Sequence, residues 1–492
     1  IKKLTLDALQ RPLAIEVKNA SSQILSSRKY KYDSAGDISQ ITSEIGQTLY
    51  IYDQLSRLLK VVPDQHLQAL GLPTEGYSYD PSGNRTFSLH QPGSWSYNNN
   101  NQLTQYPKLV PFERLAVPLQ TQVTYNQQGH VVKESNSAGE RIYGYNAAER
   151  RIRYAVGPLS STEVAVEALY RYDPFGRRIS KVVSKNYAGA EQSRTTYYIY
   201  SNTGLMAEMD GNGKLERAYG YDPKKAQQGQ WSSDPIWQAD VKAGQDAKLA
   251  SGTDFHYLQT DHLGAPMVAV DQAGFASWKG ISEAFGATGV LREESRIEMN
   301  LRLPGQYFDE ESGDHYNFHR VYRPQVGRYA EEDPISLAGG GNIYAYVSNN
   351  PVNSIDPFGL RGDNCLPDQV FGPLEIINST FDKNFKVGTR RRPGLIFENP
   401  GPKDNIDPRS PRNLPIKPGF DKYLVVDVFD VWNQNTYNLT ETFQNFARIC
   451  KYTVVDDCGN ETVETRTTFF RKKLTSTEVL INSREYEIRV NR

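Results

Sequence analysis

Histidine is the commonest metal ligand among the side chains, and all seven histidines of this 492-residue chain lie before residue 360. Four of them fall between residues 256 and 319: His256, His262, His315 and His319. The spacing of His315 and His319 suits two metal ligands on one face of a helix. The neighbouring Tyr316, Phe318 and Tyr322 instead favour a strand, in which the two rings would lie roughly 13 Å apart. Because no cysteine or carboxylate constellation completes a site, the sequence predicts no metal centre.

The three cysteines show the opposite distribution, because Cys365, Cys450 and Cys458 all lie after residue 360. Cys450 and Cys458 could form a disulfide across a short hairpin, so both an oxidising and a reducing compartment stay open. The absence of histidine after residue 360 excludes HNH-type nucleases, His-liganded zinc deaminases and Ser-His or Cys-His hydrolases confined to that segment. The change in composition predicts that a different domain begins near residue 360.

Charge and hydropathy exclude further classes of function. The chain carries 56 basic and 57 acidic residues, so its net charge of -1 gives no reason to expect nucleic acid or an anionic membrane as partner. The sequence contains no run of about 18 apolar residues, so no membrane-spanning helix is predicted. The chain begins at Ile1 without an initiator Met or a signal peptide, so we expect the segment that would carry localisation evidence to be missing.

The elements that must position any site are predicted by an internal repeat. The pattern Tyr-x-Tyr-Asp followed by a turn residue recurs along the chain, and nine copies are found when weaker matches are included. The copies begin at Tyr30, Tyr50, Tyr77, Trp95, Val123, Tyr143, Tyr170, Tyr198 and Tyr219. Alternate tyrosines share one face of a strand, Asp or Asn caps a turn, and Gly supplies positive φ. One hairpin is marginal in water, so the copies are expected to stack into a long antiparallel sheet. The competing interpretation is a Tyr-rich β-sandwich.

The copies resemble the YD (Rhs) repeat, whose known members coil one sheet into a hollow shell. The segment Thr260-Asp261-His262-Leu263-Gly264-Ala265-Pro266 is similar to the family's DHLGTP segment. The ordered motifs from Leu303 to Leu360 resemble the Rhs-associated core domain. One departure is Arg323, which stands where the family pattern RYYDP has Asp, so an acidic role there is not transferred.

In Rhs effectors and the C subunits of insecticidal toxin complexes, the core domain resembles an aspartic protease that cuts its own chain once, after the Leu of a DPxGL motif. The resemblance implies a scissile bond between Leu360 and Arg361, a catalytic pair Asp333 and Asp356, and Arg320 as a supporting cation. Two carboxylates suit this chemistry because one accepts a proton while the other donates one.

Alternatives to this assignment stay open in the sequence. Asp333 and Asp356 both precede proline, so they could simply form Asx-Pro turns at the ends of strands. Arg320 could stack or pair within the shell beside Tyr322. No cofactor is expected for the shell or the core.

The last 132 residues, 361–492, are long enough for an independent domain. Strand-like runs and one helix predicted over Thr440–Ile449 favour an α+β or mostly β fold. By position the segment resembles the variable C-terminal toxin of the family. Arg391 and Glu478 faintly resemble the Arg and Glu of ADP-ribosyltransferases, which would make NAD a cofactor of the tail alone. A second faint resemblance, around Cys458, is to immunoglobulin-like adhesive repeats.

The predicted fold is therefore mostly β. A YD-repeat shell segment occupies 1–255, an Rhs-associated core domain that caps it occupies 256–360, and a cargo domain occupies 361–492. The resemblance implies a secreted or exported bacterial toxin whose cargo stays held non-covalently after cleavage. Expected partners are the remainder of the shell or a Tc B-like subunit, and an immunity protein. The competing class is a structural or adhesive, teneurin-like YD-repeat protein with an inert core and a tail that binds a partner.

Overall fold

A computed structural model describes residues 1–108, 118–157, 165–187, 190–227, 231–242, 245 and 252–360, together with the backbone of 369–393, 426–455 and 461–491. The chain divides into two compact units, Ile1–Asn364 with Thr453–Val463, and Cys365–Tyr452 with Glu464–Arg492. Antiparallel strands dominate the described residues, which confirms the mostly β prediction. No helix among these residues is both long and apolar enough for a membrane crossing.

The first sheet has eight strands that are hydrogen-bonded in chain order. They are β1 (Lys2–Leu6), β2 (Pro12–Lys18), β3 (Ile24–Tyr32), β4 (Ile38–Ser43), β5 (Gly46–Tyr52), β6 (Leu58–Pro63), β7 (Glu75–Tyr79) and β8 (Arg85–Ser88). A short helix, α1 (Gln65–Ala69), joins β6 to β7 and is capped by Asp64, whose side chain accepts the N–H of Leu67.

The second sheet has sixteen strands, again in chain order. They are β9 (Ser96–Tyr97), β10 (Leu103–Lys108), β11 (Leu119–Tyr125), β12 (Val131–Asn136), β13 (Gly139–Tyr145), β14 (Arg151–Gly157), β15 (Val166–Tyr172), β16 (Arg178–Tyr187), β17 (Ala190–Ser201), β18 (Gly204–Asp210), β19 (Leu215–Tyr221), β20 (Pro235–Val241), β21 (Thr253–Thr260), β22 (Pro266–Asp271), β23 (Ala276–Ser282) and β24 (Thr288–Val290). A second short helix, α2 (Pro223–Gln227), lies between β19 and β20. The sheet runs through the predicted boundary at residue 255, which falls within β21.

Most repeats end in a turn that an Asp or Asn side chain organises, whereas Ser201 does so in the copy that begins at Tyr198. Oδ1 of Asp33 accepts the N–H groups of Ala35 and Asp37 at 2.9 Å, and the N–H of Gly36 donates to the Asp33 carbonyl at 3.2 Å. Gly36 has φ of +89°, a conformation that glycine adopts without steric cost. Side-chain bonds of the same kind recur at Asp53, Asp80, Asn98, Asn126, Asn146, Asp173, Asp210, Asp261 and Asp271.

The second tyrosine of a repeat ties its strand to the strand before it. The Tyr32 hydroxyl donates to the Pro12 carbonyl at 2.7 Å, across 20 residues of sequence. The same bond is made by Tyr52, Tyr79, Tyr97, Tyr125, Tyr145, Tyr172 and Tyr200 to carbonyls 12 to 22 residues earlier. At about 1 kcal/mol for each hydrogen bond, this ladder helps to hold the strands in register.

A third sheet packs against buried tyrosines of the second. It has four strands, β25 (Tyr307–Asp309), β26 (Asp314–Asn317), β27 (Arg320–Arg323) and β28 (Arg328–Tyr329). Short 3-10 turns occupy Arg292–Glu294, Ser336–Gly339 and Val347–Asn349. Tyr307 and Tyr316 join one apolar cluster of the second sheet, Val326 and Ala330 join another, and Val352 joins a cluster of the first sheet. Residues 299–356 thus contribute to the apolar cores of both large sheets.

Arg323, the departure from the family pattern, belongs to this packing. Its guanidinium pairs with the buried carboxylate of Glu134 on β12 and donates to the Tyr106 hydroxyl at 2.9 Å. A basic residue at this position therefore has a structural partner in the second sheet.

The described part of 361–492 contains a separate three-stranded sheet, ordered β29 (Gln369–Pro393), β30 (Val426–Val455) and β31 (Glu461–Asn491). The helix predicted over Thr440–Ile449 is wrong, because these residues lie within β30. The segment is rich in threonine and phenylalanine, which favour strands, and this preference outweighs the helical spacing of its apolar residues.

Candidate active site

The candidate site lies where the hairpin of β26 and β27 meets the chain just before residue 361. Arg320 is the first residue of β27, Asp333 follows β28, and Asp356 precedes the turn that ends at Leu360. Arg320, Asp333 and Asp356 are all at least 97% buried. Residues far apart in sequence are therefore brought into one buried region.

Arg320 contacts both predicted catalytic carboxylates through a single nitrogen. Its Nη2 lies 2.8 Å from Oδ2 of Asp333 and 3.4 Å from Oδ2 of Asp356. The structure thus brings together the three residues that the resemblance selected. An isolated pair of buried carboxylates would repel, so the guanidinium between them offsets part of that cost.

Arg320 also holds the backbone next to the predicted scissile bond. Its Nε donates to the Gly359 carbonyl at 2.6 Å, and its Nη1 donates to the Ile343 carbonyl at 3.0 Å. The guanidinium lies 3.6 Å from the centre of the Tyr329 ring, which packs against its face. One side chain therefore links both carboxylates to the last turn before Leu360.

The Asp356 carboxylate also accepts hydrogen bonds from Tyr329 and from the Leu360 backbone. The Tyr329 hydroxyl donates to its Oδ2 at 2.7 Å, and the Leu360 N–H donates to its Oδ1 at 3.1 Å. Asn317 supports this arrangement by donating to the Tyr329 hydroxyl and to the Asp356 carbonyl, both at 2.9 Å. Sequence reasoning assigned no role to Tyr329 or Asn317, although both lie within motifs of the core domain.

The environments of the two carboxylates differ. Burial raises the pKa of Asp333 to about 6, although Arg320 and the Ile335 N–H, which donates to Oδ1 at 3.0 Å, act in the opposite direction. The neighbouring Asp356 contributes a further increase in this pKa. Asp333 is thus the carboxyl that can carry a proton near neutral pH, as a general acid requires.

Gly359 occupies a position that has no room for a side chain. Its φ is +65°, and a Cβ built there would lie 2.5 Å from the Asn317 carbonyl oxygen and 3.3 Å from the backbone nitrogen of Arg320. The Phe358 carbonyl accepts the N–H of His319 at 3.1 Å, so the chain runs directly beside the turn between β26 and β27. The backbone before Leu360 is held at close range by the element that carries Arg320.

The remaining predicted residues have mixed outcomes. Leu360 is described, whereas Arg361 lies outside the described residues. Arg391 falls in β29 and Glu478 in β31, and their side chains lie outside what the structure describes. An NAD site in the tail therefore stays a prediction.

The four histidines considered for a metal site have protein partners. The contacts are His256 Nδ1 with Ser277 Oγ at 2.9 Å, His262 Nε2 with the Val352 carbonyl at 2.8 Å, His315 Nδ1 with Gln306 Oε1 at 2.7 Å, and His319 Nδ1 with Arg150 Nη2 at 2.8 Å. Burial, Arg150 and Arg320 lower the pKa of His319 to about 4, so its ring is neutral beside the site. These contacts account for the histidines as packing residues.

Known proteins resemble this chain over most of its first 360 residues. The Teneurin YD-shell family model matches residues 2–202. The double-stranded DNA deaminase toxin A of Burkholderia cenocepacia is 30% identical over 361 residues, which cover 70% of this chain and 23% of the toxin. The toxin protein Tse5 of Pseudomonas aeruginosa is 30% identical over 378 residues, which cover 68% of this chain and 27% of Tse5.

A solved structure shows the same fold. The Tc holotoxin pore of Photorhabdus luminescens, with a substituted TccC3, superimposes with a TM-score of 0.51 at 16% identity, covering 73% of this chain and 18% of that one. The chain spans about a quarter of the length of the curated relatives named above. The repeats, the sheets they form and the similarity to the YD-shell model and to these two relatives show that the chain belongs to the Rhs/YD-repeat family.

Proposed function

We propose that the chain is part of an Rhs/Tc-type toxin that cuts itself once, between Leu360 and Arg361, and encloses the released segment as its cargo. The observation that carries the proposal is the placement of Arg320, which contacts Asp333 and Asp356 and also donates to the Gly359 carbonyl. A guanidinium that binds both carboxylates and the adjoining peptide suits hydrolysis of the next bond.

The chemistry follows from the two carboxyl environments. Asp356 accepts a proton from water as the water oxygen bonds to the Leu360 carbonyl carbon. Protonated Asp333 donates its proton to the carbonyl oxygen, which the raised pKa of Asp333 favours near neutral pH. When the C–N bond breaks, the proton held by Asp356 passes to the Arg361 nitrogen, which leaves as an amine. One hydroxyl proton of the intermediate returns to Asp333, and Leu360 keeps the new carboxyl group.

The same contacts account for a single turnover. The Leu360 N–H donates to Asp356, and the Gly359 carbonyl accepts from Arg320, so the new carboxyl end stays at the site after the cut. No second peptide can then take its place while the fold is intact. The protease acts only on its own chain.

The shell would separate the cargo from the producing cell until delivery. Its expected partner is a Tc B-like subunit or further shell, and the toxin would be exported. The likeness of about 70% of the chain to relatives named as toxins supports this role. The names of those relatives describe their own activities, so the target of residues 361–492 is a separate question.

The proposal is tested by denaturing electrophoresis of the purified wild-type chain and of Asp333→Asn and Asp356→Asn variants. The wild type should give two bands that correspond to 1–360 and 361–492, and each variant should give one. Asp222→Asn is the matched control, because Asp222 also precedes a proline but caps a repeat turn far from the site in sequence. A wild-type chain that stays whole, or an Asp333→Asn chain that is cut fully, would contradict the proposal.

The cargo role is tested by expressing residues 361–492 in bacteria. Growth arrest would support a toxin and would allow its molecular target to be sought. Growth at the control rate, together with binding of the segment to cell surfaces, would favour the adhesive alternative. An ADP-ribosyltransferase would in addition consume NAD, and this activity should be lost in Glu478→Gln.

A further inference from the structure

A second cluster of chemically competent side chains lies away from the candidate active site. Glu75 comes from the start of β7, His90 follows β8, and Glu283 lies in the turn between β23 and β24. Each residue offers one ligand atom, and these three atoms lie within 4.8 Å of one another. Exposure is 1% for Glu75 and 9% for Glu283, and the His90 side chain is 6% exposed. The cluster is buried and combines residues from both large sheets.

The orientation of His90 leaves one ring nitrogen for the cluster. Its Nδ1 lies 3.3 Å from the Ser88 hydroxyl, and its Nε2 lies 3.5 Å from Oε2 of Glu283. A neighbour at Nδ1 commonly fixes the tautomer and orientation of a metal-binding histidine. Bond lengths of 2.0–2.2 Å in a tetrahedral zinc site place two ligand atoms about 3.4 Å apart. The spacing of Nε2 and the Glu283 oxygen agrees with that value.

The Glu75 carboxylate is also fixed by its neighbours. Its Oε1 accepts the N–H of Ala284 at 3.0 Å, and its Oε2 accepts the hydroxyl of Tyr77. The Tyr77 ring in turn contacts the His90 ring edge-on, with centroids 5.8 Å apart. Ligands that are held by such outer contacts need little rearrangement to bind an ion.

The cluster brings two carboxyl groups together with one imidazole. Within the part of the chain that the structure describes, neither Glu75 nor Glu283 forms an ion pair with a lysine or an arginine. The nearby Arg85 guanidinium stacks on the rings of Tyr77 and Phe285, at 4.2 and 4.3 Å. Two buried carboxylates beside an imidazole therefore lack a fixed cationic partner, and such charges are stabilised by pairing or by metal coordination.

We propose that Glu75, His90 and Glu283 bind one divalent transition-metal ion, with Zn²⁺ as the preferred ion and water as the fourth ligand. Imidazole and carboxylate together suit Zn²⁺, and affinity for sites of this kind places Zn²⁺ above Mn²⁺. The ion would join β7 and β8 of the first sheet to the turn after β23 of the second. Its role would be structural, and it is independent of self-cleavage.

The test uses the full chain with Cys365, Cys450 and Cys458 replaced by serine, so that thiolates cannot bind the metal. After treatment with a chelator, the chain is titrated with Zn²⁺ alone and with Mn²⁺ alone in a calorimeter, and bound metal is counted by mass spectrometry. One Zn²⁺ should bind per chain, more tightly than Mn²⁺, and thermal unfolding should shift to higher temperature with Zn²⁺.

Variants then locate the ion. Glu283→Gln and His90→Ala should each weaken Zn²⁺ binding at least about tenfold, whereas His66→Ala, which removes an exposed histidine, should leave it unchanged. Circular dichroism checks that each variant is folded. The proposal is overturned if the cysteine-free chain binds no Zn²⁺. It is also overturned if folded Glu283→Gln and His90→Ala chains bind Zn²⁺ as the parent does.

Discussion

Replacing Gly359 by alanine would place a methyl group against the turn between β26 and β27. The added carbon would lie 2.5 Å from the Asn317 carbonyl oxygen, whereas ordinary contact begins at 3.4 Å. The two nearest atoms, the Asn317 oxygen and the Arg320 nitrogen, both belong to the backbone, so a side-chain rotation cannot relieve the overlap. Gly359 must therefore move away from Asn317 and carry its carbonyl away from Arg320.

The size of the effect follows from this displacement. The two groups must separate by about 0.9 Å to regain ordinary contact. A misplacement of about 1 Å can cost about 100-fold in rate, which corresponds to about 2.7 kcal/mol of activation free energy. The positive φ of +65° adds a conformational cost of about 1–2 kcal/mol to the folded state.

The assay measures the rate at which newly synthesised chain is cut, by sampling a cell-free translation on denaturing gels. Gly213→Ala is the matched control, since Gly213 has φ of +76° but nothing within 4 Å of its built Cβ. We expect Gly213→Ala to be cut at the wild-type rate and Gly359→Ala to be cut about 100-fold more slowly. Wild-type cutting of a folded Gly359→Ala chain would refute the reasoning.

Three further predictions concern acid catalysis, positioning and stability. Catalysis needs protonated Asp333, whose pKa is about 6. If uncut chain is prepared at high pH and then adjusted, the rate of cutting should be about tenfold lower at pH 8 than at pH 7. A rate that does not change with pH would exclude Asp333 as the general acid. Tyr329→Phe removes the hydroxyl that donates to Asp356, so it should slow cutting at least about tenfold while the midpoint of thermal unfolding changes little. An unchanged cutting rate would exclude a positioning role for Tyr329. Asp309→Asn leaves the buried guanidinium of Arg178 without its carboxylate and should lower the free energy of unfolding by about 3–5 kcal/mol in chemical denaturation. Glu216→Gln, which removes a half-buried partner of the exposed Arg194, should lower it by less than about 1 kcal/mol. Equal costs would contradict this assignment.

The repeat could be predicted from sequence because its information is local. Tyr30 and Tyr32 end strand β3, and Asp33 and Gly36 form the turn that follows, so alternation and turn chemistry within a few residues are sufficient to define the hairpin. The bond from Tyr32 to the Pro12 carbonyl could not be predicted in the same way. It depends on the register between neighbouring strands, which spacing along a single strand does not specify.

The candidate site shows the same limit. Arg320, Asp333 and Asp356 were selected by resemblance to a motif, and only the fold shows that one nitrogen contacts both carboxylates. Tyr329 and Asn317 were missed because their contacts with Asp356 arise where β26, β28 and the last turn converge. Such convergence has no signature in spacing along the chain.

The Glu75, His90 and Glu283 cluster was missed for a related reason. Glu283 is separated from the other two residues by nearly the whole second sheet, and no short motif joins them. In the sequence, His315 and His319 are the more evident metal-ligand candidates, because they are close together in the chain. Packing of the two large sheets, rather than sequence proximity, creates the cluster.

The most direct test of the central claim is intact-mass analysis of the purified wild-type chain beside Asp333→Asn, with N-terminal sequencing of any fragment. The account predicts two wild-type species, one ending at Leu360 and one beginning at Arg361, and a single uncut species for the variant. A wild-type chain that remains whole, or a cut at a different bond, would contradict the claim that Arg320, Asp333 and Asp356 form a self-cleaving site.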